Sequence, residues 1–420
     1  MKAMLGTFRT APTQALLYET QLIPVEQSLE NRVLKSLTRI QTLPHDHPTS
    51  IWYKRALQMH RAGTTPYPSN LEALAKLAQR RDGTRLEDLP METIKPYIRP
   101  PWWKSPVNIQ IAQTREEAHE HHNRWQDRQD TLHIYTDGSG LDNHIGAAAY
   151  SPQLETVRRQ YLGTDRTTTV YAGELTGIRM ALELYSESEG YPSCDIYTDN
   201  QAAIRATAKP HRQSGQYIIA AILDIVDNLR VTRPDGQITV RWTPAHEGIE
   251  GNERADEEAR TATEERDEEP ALPHLTLKAA RVMEIDRATA EKSGKAIRRQ
   301  APNPTQHQRI VQAKRCKTGV RLYKDLTWKE TSVLARLRTG HCGLNGFLHR
   351  INRSDTANCE CGYERETVKH FLIDCPTYAD ERRTMRTKVG SRNMRVERLL
   401  GDRKHVRHTL EYVARTRRFS

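Results

Sequence analysis

Between residues 131 and 264 the spacing of hydrophobic positions changes several times, and each change predicts an element. LHIYT at 132–136 reads as a strand and DGSG at 137–140 as a turn. IGAAAYS at 145–151 and ETVRRQYLG at 155–163 predict two more strands joined by a polar turn. Leu175, Ile178, Leu182 and Tyr185 then recur at helical spacing, predicting a long amphipathic helix over about 170–187. CDIYT at 194–198 is a short strand, followed by a helix from Asn200. Ile218, Ile222, Ile225 and Leu229 stripe a helix over 214–230, QITVRWT at 237–243 is a last strand, and a final helix begins near Asn252. This succession predicts one α/β domain with a mixed five-stranded sheet flanked by helices.

The flanks are patterned less strongly. Leu16, Leu17, Val25, Leu29, Val33, Leu34 and Leu37 predict a helix over 14–40, and a second helix is expected around Asn70–Arg80. Pro96, Pro100 and Pro101, followed by Trp102 and Trp103, mark an extended connector. REEAHEHHNRWQDRQD at 115–130 reads as a surface helix, and TEERDEEP at 263–270 as an acidic linker. The expected organisation is a mainly helical region at 1–96, a connector at 97–130, the α/β domain at 131–264, a basic linker at 265–330, a Cys/His module at 331–390 and a basic tail at 391–420.

Composition sharpens this picture. Hydrophobic residues make up 36% of the 420 and the mean hydropathy is -0.77, which suits one well-formed core with leaner flanks. The chain lacks an apolar run of about 18 residues, and MKAMLGTFRTAPTQ lacks the apolar stretch of a secretory signal. The expectation is an intracellular protein, nuclear or cytoplasmic, with no membrane partner. The net charge of +11 is uneven: 131–263 carry 12 Lys/Arg against 19 Asp/Glu, a net of −7, whereas 264–420 carry 34 against 20, a net of +14. A basic C-terminal region points to nucleic acid, because Lys and Arg displace counterions from phosphates; a solvated surface is the plainer alternative.

Cys194 and Cys316 stand apart, while Cys342, Cys359, Cys361 and Cys375 gather near the end. In a reducing compartment such a cluster reads as a metal site before it reads as disulfides. Cys359, Cys361, His370 and Cys375 form C-x-C-x8-H-x4-C, four soft ligands suited to a structural Zn²⁺, with His341 and Cys342 as spare candidates. The C-x-C start is tighter than the usual C-x2-C, and a metal-free Cys-rich loop is the alternative. His370 and Cys375 are expected near one face of a helix, with Arg382, Arg383, Arg386 and Lys388 following.

Two strands end in nearly the same words, IYTDG with Asp137 and IYTDN with Asp199. Matching strands ending in matching aspartates predict neighbours in one sheet, with both carboxylates at one edge, where open α/β sheets place their chemistry. Taken singly, each also suits a structural role, Asp137 in a turn and Asp199 as a helix cap. Glu174 precedes the apolar stripe beginning at Leu175, and Asp256 is placed in the first turn of the last helix, within GNERADEEA. Gathered together, four carboxylates would repel and hold protons. Divalent cations would make the cluster favourable, and oxygen-only ligands select Mg²⁺ or Mn²⁺. Two such ions about 4 Å apart serve in-line phosphodiester displacement. His246, ten positions before Asp256 on a Gly-containing loop, suits a proton shuttle or a product-release gate, though a lone loop histidine is commonly just exposed.

Residues 132–264 resemble the ribonuclease H family in strand order and in motifs: IYTDGSG, YAGELTGIRMAL, IYTDNQAA and TPAHEGIEGNERAD. The resemblance implies a ribonuclease H-like fold with Asp137, Glu174, Asp199 and Asp256 as metal-binding catalytic carboxylates, His246 as the loop histidine, and Asn200 and Asn252 as contacts to an RNA–DNA hybrid. Ala245 stands where the family commonly has Gly. The mid-domain segment KPHRQSGQ is too short for the family's basic, Trp-rich handle, so the flanks are expected to supply affinity. Transposases, integrases and junction resolvases of the same broad fold lack the combined loop histidine and GNxxAD helix. The wider arrangement resembles the C-terminal part of a fungal-type non-LTR retrotransposon polyprotein: GTFRTAPTQALLYETQLIPVEQSLENR at 6–32 resembles the stretch after a reverse transcriptase domain. A YxDD polymerase motif is missing, so the expectation is a fragment that keeps the nuclease and lacks the polymerase. The rival expectation is a catalytically silent, nucleic-acid-binding remnant of such an element.

Overall fold

The structure, a computed structural model, describes residues 1–62, 90–264, 275–298, 305–312 and 319–419. The helix expected at Asn70–Arg80, most of the acidic stretch and Cys316 lie outside those residues. The chain divides into two compact units, Leu29–Ala288 and the discontinuous pair Met1–Ser28 with Thr289–Ser420.

Helices α1 (Thr13–Thr20), α2 (Val25–Gln41) and α3 (Pro48–Arg61) come first. The single helix expected over 14–40 is therefore two. Gln21 turns left-handed at φ 53°, and Pro24, which lacks an amide N–H to continue a helix, precedes the restart at Val25.

The sheet has six strands in the order β1-β6-β5-β2-β3-β4: β1 (Asn108–Gln110), β2 (Thr131–Leu141), β3 (His144–Ser151), β4 (Thr156–Thr164), β5 (Ser193–Thr198) and β6 (Ile238–Trp242). The pairs β1/β6, β6/β5 and β5/β2 are parallel, whereas β2/β3 and β3/β4 are antiparallel, so the sheet is mixed. The sixth strand, β1, comes from the expected connector; three residues are too few to show alternation in sequence. Residues 137–140 are not the expected turn. They continue β2, and the chain reverses at Asp142 and Asn143, whose φ of 48° and 66° suit the short polar side chains that tolerate left-handed backbone.

Around the sheet lie α4 (Arg115–Trp125), α5 (Val170–Glu187), α6 (Gln201–Ala208), α7 (Gln216–Thr232) and α8 (Glu250–Thr261). The predicted stripes do what their spacing implies. Leu175, Ile178 and Leu182 of α5 and Ile218 and Ile222 of α7 share one buried core with Leu132, Ile134, Ile196 and Val240 from the strands. On α4, Thr114 caps the first turn by accepting from the Glu117 N–H, and His122 lies buried with Nε2 2.8 Å from the Tyr135 hydroxyl. That histidine belongs to a polar layer in which Arg241 pairs with Asp195 at 2.8 Å and donates to Gln110 of β1.

Glu92 fastens chain outside 131–264 to this unit. Its carboxylate is fully buried and accepts from Ser214 Oγ at 2.5 Å, Gly215 N–H at 2.7 Å and Lys278 N–H at 2.7 Å. Lys278 opens α9 (Lys278–Arg298). Leaving buried donors without an acceptor costs about 1–3 kcal/mol each. Glu92→Ala is therefore expected to lower the thermal midpoint by roughly 5–10 °C; a calorimetric scan with the midpoint unmoved contradicts this anchoring.

In the discontinuous unit, α10 (Gln306–Gln312), α11 (Gly319–Tyr323), α12 (Trp328–Thr339), α13 (Asn345–Leu348), α14 (Ala379–Val389), α15 (Val396–Gly401) and α16 (Arg403–Thr416) follow in order. Leu334, Leu337, Phe371, Leu372, Leu399 and Leu400 form its core. Glu19 of α1 is buried there against Arg338 of α12. Among the described residues, no helix is long and apolar enough to cross a membrane.

Candidate metal centre

The doubled IYTD word places its aspartates as its repetition predicts. Ile134 pairs with Ile196 and Tyr135 with Tyr197 in the parallel β2/β5 ladder, so Asp137 in β2 and Asp199 just beyond β5 reach the same edge. Helix α5 brings Glu174 to them. Its approach is possible because Gly138 and Gly173 carry no side chains: a Cβ on Gly138 would sit 2.4 Å from the Glu174 backbone nitrogen, and one on Gly173 would sit 2.9 Å from the Gly146 carbonyl oxygen. One carboxylate oxygen from each of Asp137, Glu174 and Asp199 lies within 4.8 Å of the others. Asp137 and Glu174 are buried, and Asp199 is half-buried.

Burial and mutual repulsion dominate the electrostatics. Burial first, then the charges of Asp199 and Asp256, raises the Asp137 pKa from 3.8 to about 7. Glu174 is raised well above its ordinary value by burial and by Asp137 and Asp199, against which hydrogen bonds from Thr198 and Asn200 act. Asp199 is raised by burial, an effect opposed by the nearby His246 charge and reinforced by Asp256. A buried cluster of hard oxygen donors that resists ionisation is what a divalent cation would relieve.

Asp256 is not part of that trio. It lies mid-way along α8 rather than in its first turn, because the helix begins at Glu250, and it pairs with Arg260 at 3.3 Å. His246 is exposed and holds a left-handed φ of 56°. The Asn200 side chain caps α6, accepting from the Ala202 and Ala203 N–H groups at 3.1 and 3.0 Å. Asn252 is buried in α8, with its Oδ1 making no hydrogen bond among the described residues. Sequence reasoning misses Thr198. It is fully buried, and its Oγ1 lies 3.3 Å from Glu174 Oε2. A signal is present in the repeated IYTD, whose two threonines are both buried next to the aspartates.

The tight seat of α5 makes Gly138 a sensitive position. Gly138→Ala forces a methyl group against helix backbone that cannot rotate away, an overpacking worth about 1–3 kcal/mol. The expected result is a lower melting temperature. An unchanged melting temperature contradicts this packing.

A second cluster lies in the discontinuous unit. Donor atoms of Cys359, Cys361, His370 and Cys375 all lie within 4.8 Å of one another, with the Cys359 and Cys375 sulfurs 3.7 Å apart and Cys361 Sγ 3.3 Å from His370 Nε2. His370 opens a π-helical turn, His370–Asp374, that ends at Cys375 before Pro376, rather than a continuous helix. The Tyr363 ring stacks on the imidazole at 4.4 Å, and buried Arg382 donates to the Cys375 carbonyl at 2.5 Å. Cys342 and His341 stay outside the group; His341 lies against Phe347.

Residues 129–264 match the family model of RNase H. Among curated proteins, the chain is similar to a retrovirus-related Pol polyprotein from type-1 retrotransposable element R1 of Bradysia coprophila, 42% identical over 65 residues that span 15% of this chain and 6% of the relative. It is also similar to a putative 115 kDa protein in type-1 retrotransposable element R1DM of Drosophila melanogaster, 42% identical over 60 residues, covering 14% of this chain and 6% of that one. The chain thus matches only a small part of the length of these relatives. Among solved structures, RNase H1 from the halophilic archaeon Halobacterium salinarum NRC-1 covers 32% of this chain and 98% of its own at 17% identity, with a TM-score of 0.25. LC11-RNase H1, solved in complex with an RNA/DNA hybrid, covers 32% and 96% at 18% identity, with a TM-score of 0.25.

Proposed function

We propose that residues 129–264 act as a metal-dependent ribonuclease H that hydrolyses the RNA strand of an RNA–DNA hybrid, in a chain derived from a non-LTR retrotransposon polyprotein. The observation that carries this reading is the convergence of Asp137, Glu174 and Asp199 at one sheet edge. The RNase H match over the same residues and the likeness to R1 polyproteins support it.

Asp137, Glu174 and Asp199 hold Mg²⁺ or Mn²⁺, two ions in this reading, with Asp256 contributing from the rim. Bound there, such ions supply an activated water and charge compensation for in-line displacement at phosphorus. Burial of Asp137 and Glu174 limits their solvation by water, so a cation is the natural counterpart for their charge. His246, exposed on its loop, serves as a proton shuttle or as a gate for product release. Asn200 and Asn252 contact the hybrid, which offers 2′-hydroxyls from one strand only. The buried, unpartnered Oδ1 of Asn252 leaves acceptor capacity there. The basic C-terminal region adds nucleic-acid affinity through phosphate contacts.

The test is incubation of the full chain with a labelled hybrid over a range of Mg²⁺ and Mn²⁺ concentrations, with product ends determined. Metal-dependent cutting that leaves 5′-phosphate and 3′-hydroxyl ends is expected. Binding without cutting would make the chain a silent nucleic-acid-binding remnant.

Cys359, Cys361, His370 and Cys375 hold a structural Zn²⁺, which the gathering of four soft donors supports. Elemental analysis of the purified chain is expected to find one zinc per molecule, lost in Cys375→Ser together with part of the thermal stability. Equal zinc content in parent and variant contradicts this assignment.

A further inference from the structure

We propose that Thr198 is a positioning residue for Glu174: its buried hydroxyl fixes the carboxylate so that the remaining oxygen faces Asp137 and Asp199. The inference rests on the reading of the trio as a divalent-metal site. Thr198 closes β5, with no exposed surface, so neither substrate nor solvent reaches its hydroxyl. Its backbone is fixed from just beyond the neighbouring strand β6, where the Thr243 N–H donates to the Thr198 carbonyl at 3.0 Å.

The hydroxyl has one proton and accepts as well. Its acceptor side is taken by the Asn200 N–H at 3.2 Å, which leaves the proton for Glu174 Oε2 at 3.3 Å. That separation is long for an O–H···O bond, but burial leaves the hydroxyl no solvent competitor. Threonine is stiff at χ1, so the donor stays in place. Glu174 is the reverse case, a flexible side chain with a carboxylate oxygen within 4.8 Å of carboxylate oxygens of Asp137 and Asp199. Asn200 also donates to this carboxylate, but without the rigid, buried Thr198 donor more of the gathering would fall to the metal itself, at a cost in affinity. Partners behind a ligand are typically worth ~10–100-fold in metal affinity.

The experiment is calorimetric titration of the full chain with Mn²⁺, comparing parent, Thr198→Val, Thr198→Ser and Thr198→Ala, each first melted without metal. Thr198→Val keeps the shape and deletes the hydroxyl; Thr198→Ala serves if valine disturbs folding. The expected result is a Mn²⁺ affinity lowered about 10-fold in Val and Ala and restored in Ser, with Val and Ala still folded but melting somewhat lower because the Asn200 N–H loses its acceptor. Equal affinity in all four overturns the inference and leaves the metal site standing. A loss in Ser as large as that in Val also overturns it. No Mn²⁺ binding by the parent would remove the metal-site reading itself, and the inference with it.

Discussion

Asp137→Asn is expected to reduce metal-dependent cutting of a hybrid by at least about 10³-fold, equivalent to about 4 kcal/mol of transition-state stabilisation, while leaving the metal-free chain no less stable. Both halves follow from the same geometry. Asp137, in β2, has a carboxylate oxygen within 4.8 Å of those of Glu174 and Asp199. Asparagine keeps the shape but removes the charge a cation needs. In the metal-free chain that charge is a burden, because burial, Asp199 and Asp256 hold the Asp137 pKa near 7 against 3.8 in the unfolded state. A raised folded pKa means that the contribution to stability is fully present below pH 3.8 and is lost as pH rises through about 7. The parent without metal should therefore lose stability relative to Asp137→Asn across that window, and Mg²⁺ should restore it to the parent alone. Thermal midpoints of both chains at several pH values, with and without metal, check the stability half. A parallel pair of pH curves contradicts it.

Glu19→Gln is expected to destabilise the discontinuous unit by about 3–5 kcal/mol, the usual result of stripping one partner from a buried ion pair, or roughly 10 °C in melting temperature. Glu19 and Arg338 are both fully buried as side chains, and the carboxylate accepts from Arg338 Nε at 2.8 Å, His307 Nε2 at 2.5 Å and Tyr323 OH at 2.8 Å. Burial alone would raise the Glu19 pKa, but Arg338, His307 and Tyr323 together outweigh it and hold the value at about 2. A neutral amide in place of the carboxylate would remove the negative charge that Arg338 Nε donates to inside the core. The pH dependence has the opposite sign to that of Asp137. The folded pKa is depressed, so the stability is present above about 4.5 and is lost as pH falls toward about 2. A double replacement of Glu19 and Arg338 by methionine should lose less than Glu19→Gln does, because apolar side chains of similar volume then replace both members of the buried pair. Melting curves of the parent and the two variants check this. A Glu19→Gln chain that melts with the parent would contradict the anchoring of α1.

What can be read in the sequence is local or repeated. The period of Leu175, Ile178 and Leu182 marks α5 to its ends, and the doubled IYTD puts Asp137 and Asp199 on adjacent strands before any pairing is known. Hidden from it are contacts joining distant residues. Glu19 and Arg338 are 319 positions apart, and Glu92 and Lys278 are 186 apart; neither glutamate stands in a pattern that distinguishes it from a solvated one. The glycines under α5 carry turn signals, which is why DGSG reads as a turn, whereas Gly138 serves the close approach of helix to strand. Asp256 reads as a first-turn residue because Glu250 and Gly251, polar and small, give no sign that α8 has already begun.

The most direct test of the central claim is substrate discrimination by the full chain in Mg²⁺. One RNA sequence is offered paired to DNA, unpaired, and paired to RNA, beside the matching DNA duplex. The account predicts cutting of the RNA strand in the hybrid alone, abolished by chelation of the metal. Folded, metal-supplied protein that leaves the hybrid intact, or that cuts all four alike, would contradict it.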